Sequence, residues 1–432
     1  MINCRVLLLL ATFFSLLASS SFGHTFQGAT MAPNTLKGWV VASDTGGYVL
    51  HTPNCGLTWI NQSFLTSRLL FDIFFLYEQK GWIVSDQGFV FYTADGGDTW
   101  VRQVMGLAKR AYRIFFLDDS CGWVGGNDAI VGRTINGGNE WEQIFLPYPP
   151  FQVDTVDIYG ISFVDRQKGW LCAGRYPFYL ESLPGQGDTW FTKGQGYIAN
   201  SVDSGLNWQL QHRDTINDFF DIMFQDSLNG FVIGGNDRNM SAVVMRTSNG
   251  GNTWQIVTIP TQAKFLRGMD LINNNYIWAI GHNGTILHSR NGGQTWIQQQ
   301  SNVNTTLYDV NFADTLHGLV AGDSYVQYTH DGGNTWHIAN LGVEEERTTF
   351  DAIGNMLEVY PNPAKAFFTL RLPHPADHEQ IKVFDVTGKI VKEASIKTQE
   401  ARISLKGINP GVYFLSLEEQ EKRITKTLII IK

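Results

Sequence analysis

The sequence predicts an all-β chain: a seven-bladed β-propeller followed by a small C-terminal β-sandwich. Three observations predict it. A short turn motif ending in Trp recurs seven times at a near-constant interval. The segments between copies are apolar and aromatic runs of four to seven residues, too short for helices and rich in strand formers. Composition then changes near residue 350: all 13 Trp fall between Trp39 and Trp336, and none lies beyond.

The clearest copy of the motif is Thr93-Ala-Asp95-Gly96-Gly97-Asp-Thr99-Trp100. The others run from Thr52 to Trp59, Thr134 to Trp141, Ser201 to Trp208, Thr247 to Trp254, Ser289 to Trp296 and Thr329 to Trp336. Successive Trp spacings are 41, 41, 67, 46, 42 and 40. A period of about 40–45 residues with four short strands in each repeat is the signature of propeller blades. The motif has a local physical cause. Asp95 and its equivalents Asn54, Asn136, Asp203, Asn249, Asn291 and Asp331 are suited to accept hydrogen bonds from N–H groups two residues on. Gly96 and Gly97 take positive φ without a Cβ penalty. Thr99 is expected to bond back to the turn, and Trp100 to fill the gap between blades. A group repeated in every blade is structural, since one reaction needs one constellation.

The second copy shows the strands of a blade: Leu70 to Leu76, Gly81 to Val84, Phe89 to Tyr92, then Thr99 to Val104 after the turn. The innermost strands share a column: Phe71-Asp72, Tyr112-Arg113, Tyr159-Gly160, Phe220-Asp221, Arg267-Gly268 and Tyr308-Asp309. Phe350-Asp351-Ala-Ile353 fits it better than anything in 24–35. Residues 347–353 are therefore expected to close blade one, in a propeller spanning 24–345.

These repeats resemble the Asp-box, or bacterial neuraminidase repeat. Phe115-Phe-Leu-Asp118, Gly122-Trp123-Val-Gly125 and Thr134-Ile-Asn-Gly-Gly138 have the cadence of the photosystem II assembly/stability factor family, and the resemblance covers about 36–342. It implies a seven-bladed propeller, and a family that binds assembly intermediates of a photosynthetic complex through basic surface residues. The middle of this chain is instead acidic, with 19 Lys+Arg against 31 Asp+Glu. Sialidases share the box but also use an Arg-Ile-Pro segment, which is absent here.

The two ends carry an address. Residues 1–23 read as a signal peptide: Arg5, an uncharged run from Val6 to Leu17, then Ala18, Ser19, Ser20, Ser21 and Gly23. The run is shorter than the ~20 residues of a membrane span, and no later segment is long and apolar enough to cross a bilayer. Residues 356–432 resemble the C-terminal sorting domain of the type IX secretion system of Bacteroidota. The resemblance rests on Leu357-Glu-Val-Tyr360-Pro361-Asn362-Pro363-Ala364, then Gly388-Lys389, Gly407-Ile-Asn-Pro410-Gly411-Val-Tyr413, and Lys426 before the terminal apolar residues. It implies engagement of that secretion machinery and delivery to the outer-membrane surface or the medium. This segment carries 12 Lys+Arg against 9 Asp+Glu, opposite in sign to the propeller.

Function is less legible. The low charged fraction (17%) and 43% apolar residues exclude a disordered chain, and a net charge of −8 argues against a nucleic-acid binder that uses a basic face. Four Cys exclude a disulfide scaffold, and Cys55, Cys121 and Cys172 read as buried or incidental. No His spacing suits a metal and no cofactor motif occurs. Three insertions stand out: 18 residues rather than 12 or 13 from Trp141 to Tyr159, 38 rather than 17–20 from Trp170 to Trp208, and 23 from Phe231 to Trp254. In a four-stranded blade all three fall on one face, opposite the boxes. Long loops on a rigid scaffold commonly bind. Tyr148, Phe151, Tyr176, Phe178, Tyr179, Trp190, Phe191 and Tyr197 supply an aromatic rim on blades four and five for a protein or glycan ligand. The alternatives are a glycoside hydrolase using channel-facing Asp72, Asp221 and Asp309 with Arg113, or an envelope assembly scaffold.

Overall fold

A computed structural model describes residues 24–43, 47–64, 66, 68–106, 109–146, 156–175, 195–236, 239–341, 358–360, 364–371, 379–385, 389–398, 400–419 and 422–430. The chain divides into two compact units, Met1–Gly342 and Val343–Lys432. The first contains seven four-stranded antiparallel sheets, each made from four consecutive strands. They are the seven blades of the propeller, numbered here I to VII in chain order. The inner strands are Phe26–Met31, Leu70–Tyr77, Ala111–Phe116, Asp157–Phe163, Asp218–Phe224, Leu266–Ile272 and Leu307–Phe312. Each packs on its neighbours around the ring, and the first also meets the last.

Blade II shows the plan. Leu70–Tyr77 pairs with Lys80–Ser85, then Phe89–Thr93, then Val101–Val104. The first three strands are mostly buried and the outer one largely exposed, as β-sheets packed face to face require.

The box turns are built as seven copies of one hydrogen-bond pattern. In blade II, Asp95 Oδ1 accepts from Thr99 N at 2.9 Å and from the Thr93 hydroxyl at 2.7 Å. The N–H two residues on, Gly97 N, donates instead to Thr93 Oγ1 at 2.9 Å. The Asp oxygen thus closes on the residue four ahead, not two. Gly96 and Gly97 both have positive φ, 78° and 93°.

The interblade seam also differs from the expected one. Trp39, in the second strand of blade I, stacks on Phe75 of blade II with ring centroids 3.6 Å apart. The pairs Trp82–Phe116, Trp123–Phe163, Trp170–Phe224 and Trp278–Phe312 repeat it. The box Trp instead meets the same Phe edge-on within its own blade, as Trp100 does Phe75 at 6.1 Å. The strand-two indole N–H also reaches the next blade's box: Trp39 to Gly96 O at 3.1 Å, Trp170 to Gly250 O at 3.1 Å and Trp278 to Gly332 O at 3.3 Å. Blades I, II, III, IV and VI are therefore sealed to the next blade by strand-two tryptophans, where blades V and VII carry Phe231 and Leu319, while box tryptophans cap them.

Blade I corrects one expectation. Its inner strand is Phe26–Met31, which pairs with Gly38–Ala42 and gives this blade its full four strands among the described residues. Residues 347–353 lie outside the described residues. The column was hidden because blade I opens it with Gln27, where each of the other six blades has an aromatic residue or arginine. Gly28 is required there: a Cβ would sit 2.9 Å from Asp72 Cα. The ring closes through Ala29 N donating to Asp309 Oδ2 at 2.9 Å and Met31 N to Asn311 Oδ1 at 2.7 Å.

The second unit is a small β-sandwich. One sheet joins Glu358–Tyr360, Phe367–Arg371 and Glu400–Ser404, and the other orders Ile390–Ile396, Glu379–Phe384, Gly411–Glu419 and Lys422–Ile430. Phe368, Leu370, Ile381, Val383, Leu415 and Leu428 fill its core. Among the sorting residues, Gly411 opens a strand, Tyr413 is buried with its hydroxyl on Asn409 O at 2.8 Å, and Lys389 N donates to Asp385 Oδ1 at 3.1 Å. Tyr360 ends the first strand, and Lys426 pairs with Leu415 in the last ladder. Pro361, Asn362, Pro363 and Gly388 lie outside the described residues, as does 1–23. No helix among the described residues is long and apolar enough to cross a membrane.

Candidate functional site: the channel mouth

Every inner strand carries a register shift near its start, and the displaced residue is Gln27, Phe71, Tyr112, Tyr159, Phe220, Arg267 or Tyr308. A β-bulge re-aims a side chain out of the ladder. Here the seven bulged residues converge as a collar, one from each blade, around a cavity of about 210 Å³. Its walls are aromatic. Phe71 meets Tyr112 edge-on at 5.3 Å, and Tyr159 stacks on Phe220 at 4.4 Å. The Arg267 guanidinium stands 4.3 Å over Phe220, and its Nε donates to His282 Nε2 at 3.3 Å. Burial, reinforced by Arg267, holds His282 neutral by lowering its pKa to about 4.

The floor is closed. The residue after each bulge reads Gly28, Asp72, Arg113, Gly160, Asp221, Gly268 and Asp309. Arg113 reaches Asp221 Oδ2 at 2.6 Å, Asp309 Oδ1 at 3.5 Å and Asp72 Oδ2 at 3.9 Å, and its Nε donates to Tyr159 O at 3.2 Å. Each carboxylate also staples two blades. Asp72 accepts from Ile73 N and, across the junction, Ile114 N, both at 2.8 Å. Asp221 accepts from Ile222 N and Met269 N, both at 2.9 Å. Asp309 accepts from Val310 N at 3.0 Å and, as above, Ala29 N. Asp270, which the sequence column did not mark, does the same between Leu271 N (2.8 Å) and Phe312 N (2.6 Å). Burial raises these carboxyls despite their partners, Asp72 and Asp270 to about 7 and Asp309 to about 6.

Asp72, Asp221, Asp309 and Arg113 thus do come together, but as a buried plug. Their oxygens are committed to backbone N–H groups and one guanidinium, so they are not the open carboxylate pair that glycoside hydrolysis needs.

The aromatic rim divides differently. Tyr148, Phe151, Tyr176, Phe178, Tyr179, Trp190 and Phe191 lie outside the described residues. Tyr197 is corrected: it sits on the third strand of blade IV, fully buried in a core with Trp123 and Trp208, because its side chain follows the strand alternation rather than the insertion. The feet of the 176–194 insertion are described. Arg175 N and Gln195 N both donate to Asp218 Oδ1, at 2.8 and 3.1 Å. Asp218 begins the inner strand whose third residue is Phe220 of the collar. The feet of the insertion and the cavity therefore share one edge. Antiparallel order puts the blade-to-blade and second-to-third-strand connections on the face where inner strands begin, which is the collar's face.

The comparisons with known proteins agree with this architecture. Residues 52–158 and 199–302 match the family described as photosynthesis system II assembly factor YCF48, and residues 358–431 match the secretion system C-terminal sorting domain. Over those residues the propeller is similar to the assembly-factor family, and the tail matches the sorting domain. Photosystem II assembly lipoprotein Ycf48 of Synechococcus sp. is 26% identical over 151 residues, covering 33% of this chain and 43% of that one. The chain spans less than half the length of the curated relatives it matches. Among solved structures, YCF48 bound to a D1 peptide superposes with a TM-score of 0.52 at 16% identity, covering 72% of this chain and 94% of that one. A GH74 enzyme from Niastella koreensis gives 0.55 at 11% identity, covering 95% and 73%. At such identities these likenesses show the fold. The sorting tail implies export to the cell surface or the medium.

Proposed function

We propose that this protein is an exported recognition module. The signal peptide and sorting tail deliver it, and the propeller, residues 24–345, takes a protein or glycan ligand on the channel-mouth face. The ligand contacts the collar and the aromatic insertion on blades IV and V together. The observation that carries this reading is Asp218, which ties both feet of the insertion to the strand that supplies Phe220. A closed floor suits binding: a ligand group enters the mouth and stops at Arg113. The same plug leaves the hydrolase reading without a free carboxylate pair at the positions expected of it.

The test is binding of the intact chain to a glycan array and to envelope and host surface proteins. It is run beside a Trp190→Ala/Tyr179→Ala double variant and a Tyr308→Ala variant. Loss of a bound ligand in both supports the shared face. Binding that survives both moves the site elsewhere, and no binding favours a scaffold role.

A further inference from the structure

A second cavity, of about 250 Å³, lies away from the channel at the junction of blades I and II. Phe64, Thr66 and Arg68 line it from the connection between the blades. Phe89, Phe91, Trp100 and Arg102 line it from the outer half of blade II. Phe64 meets Phe91 edge-on at 4.7 Å and lies over Trp100 at 5.9 Å, giving an apolar wall. Opposite stands a cationic clamp. The guanidinium carbons of Arg68 and Arg102 lie 5.0 and 4.9 Å from the centroid of one ring, Phe89. Stacking on an aromatic face fixes a guanidinium's plane while leaving its edge donors available.

One feature sets this cavity apart from a packing gap: its two positive charges are weakly compensated. Arg68 has only Asp86 at 3.9 Å, and Arg102 has no carboxylate partner among the described residues. On a propeller with a large acidic excess, such a pair is a local inversion of sign. The Trp100 indole N–H on the wall has no hydrogen-bond acceptor, a property it shares with the box tryptophans Trp141, Trp208 and Trp254, so it does not mark this cavity.

We infer that the blade I/II cavity binds an anionic saccharide, one uronate- or sulfate-bearing ring whose acidic group bridges Arg68 and Arg102 while its apolar face lies on Phe64 and Trp100. The volume admits a single ring. Donors without a matching row of backbone acceptors fit an acidic sugar better than an acidic peptide, which brings N–H groups of its own. The site stands independently of the channel mouth.

The experiment is titration calorimetry of the intact chain with four probes: oligogalacturonate, a sulfated galactan oligosaccharide, a neutral cello-oligosaccharide and poly-glutamate. The expected result is binding of at least one of the first two, weakening as salt is raised. The neutral sugar and poly-glutamate should bind at least about tenfold more weakly, the scale of one lost charge-assisted contact. Which acidic sugar binds tells carboxylate from sulfate. Arg102→Gln should lose about tenfold or more, and Arg102→Lys should recover only part, since a lysine cannot form the bidentate fork. Arg102 is exposed on an outer strand, so an unchanged melting curve checks the fold. The Trp190→Ala/Tyr179→Ala variant should bind the acidic sugar as the parent does, which separates this site from the channel-mouth reading. Equal binding of neutral and acidic sugars, tighter binding of poly-glutamate, indifference to Arg102→Gln, or no binding of either acidic sugar would each overturn the inference.

Discussion

Arg113 Nη2 meets Asp221 Oδ2 at 2.6 Å, reaching from blade III to blade V past Gly160, where blade IV contributes no side chain. A Cβ at Gly160 would lie 3.0 Å from Asp221 Cα and 2.7 Å from Ile222 N. Gly28 beside Asp72 and Gly268 beside Asp309 repeat the arrangement. Seven blades thus share one cation: three glycines admit three aspartates, and the remaining blade supplies the arginine.

Removing that cation strands three buried carboxylates. Arg113→Met should cost about 3–5 kcal/mol, the scale of a broken buried ion pair. The loss should be smaller at pH 5 than at pH 8. Asp72 and Asp309 already sit near 7 and 6 because of burial, and without Arg113 they rise further, so acid neutralises them in the fold. Denaturant unfolding at the two pH values reads this directly; an equal loss at both would show that the carboxyls are not titrating there.

Asp270 gives a cleaner pH signature, since its carboxyl faces two backbone donors and no cation at salt-bridge distance among the described residues. Its folded pKa of about 7 exceeds the ordinary value of 3.8. The folded state therefore binds the extra proton between those values, and stability falls as pH rises through that window. Asp270→Asn lacks this dependence. Relative to the variant, the parent should lose roughly 2–3 kcal/mol between pH 5 and pH 8, at 1.36 kcal/mol per unit of pKa. Parallel stability curves would contradict it.

The strand-two tryptophans should matter more than their hydrophobicity. Trp170→Phe keeps a ring to stack on Phe224 but loses the 3.1 Å bond from the indole to Gly250 O and leaves a void. A loss of about 2–4 kcal/mol is expected from the two effects together. A melting shift no larger than that of an exposed substitution would show that the seam rests on stacking alone.

The box acid, by contrast, is exchangeable with its amide. Asp331 Oδ2 accepts the Thr335 hydroxyl at 2.6 Å, whereas Asn291 Nδ2 donates to the Thr295 hydroxyl at 2.9 Å. The hydroxyl simply reverses its role. Asp331→Asn should stay within about 0.5 kcal/mol of the parent, while Asp331→Ala should cost about 1–2 kcal/mol, as lost turn caps do. Thermal unfolding of the two variants distinguishes a structural turn from one that needs its charge.

The blades and the box turns were legible because they repeat, and each copy fixes the register of the next. Blade I escaped because its inner strand opens the column with Gln27-Gly28, without the aromatic residue or arginine that the other six blades place there. The channel was half legible. Asp72, Arg113, Asp221 and Asp309 do lie at the centre, and a one-residue bulge sends the residues before them, Phe71, Tyr112, Phe220 and Tyr308, into the cavity wall as well. Asp270 and Asp218 lie outside that column, and nothing local marks a carboxylate that staples a neighbouring blade. Tyr197 was misread because its distance from the strand start, not its place after a long insertion, decides its direction.

The seam between blades VII and I has a topological consequence. No peptide bond crosses it, yet Asp309 and Asn311 hold it with the kind of side-chain-to-backbone clasp that Asp72 and Asp221 make at covalently linked junctions. The ring therefore has no privileged starting blade. Circular permutants that join the two edges of this seam and open the chain at another junction would keep every clasp.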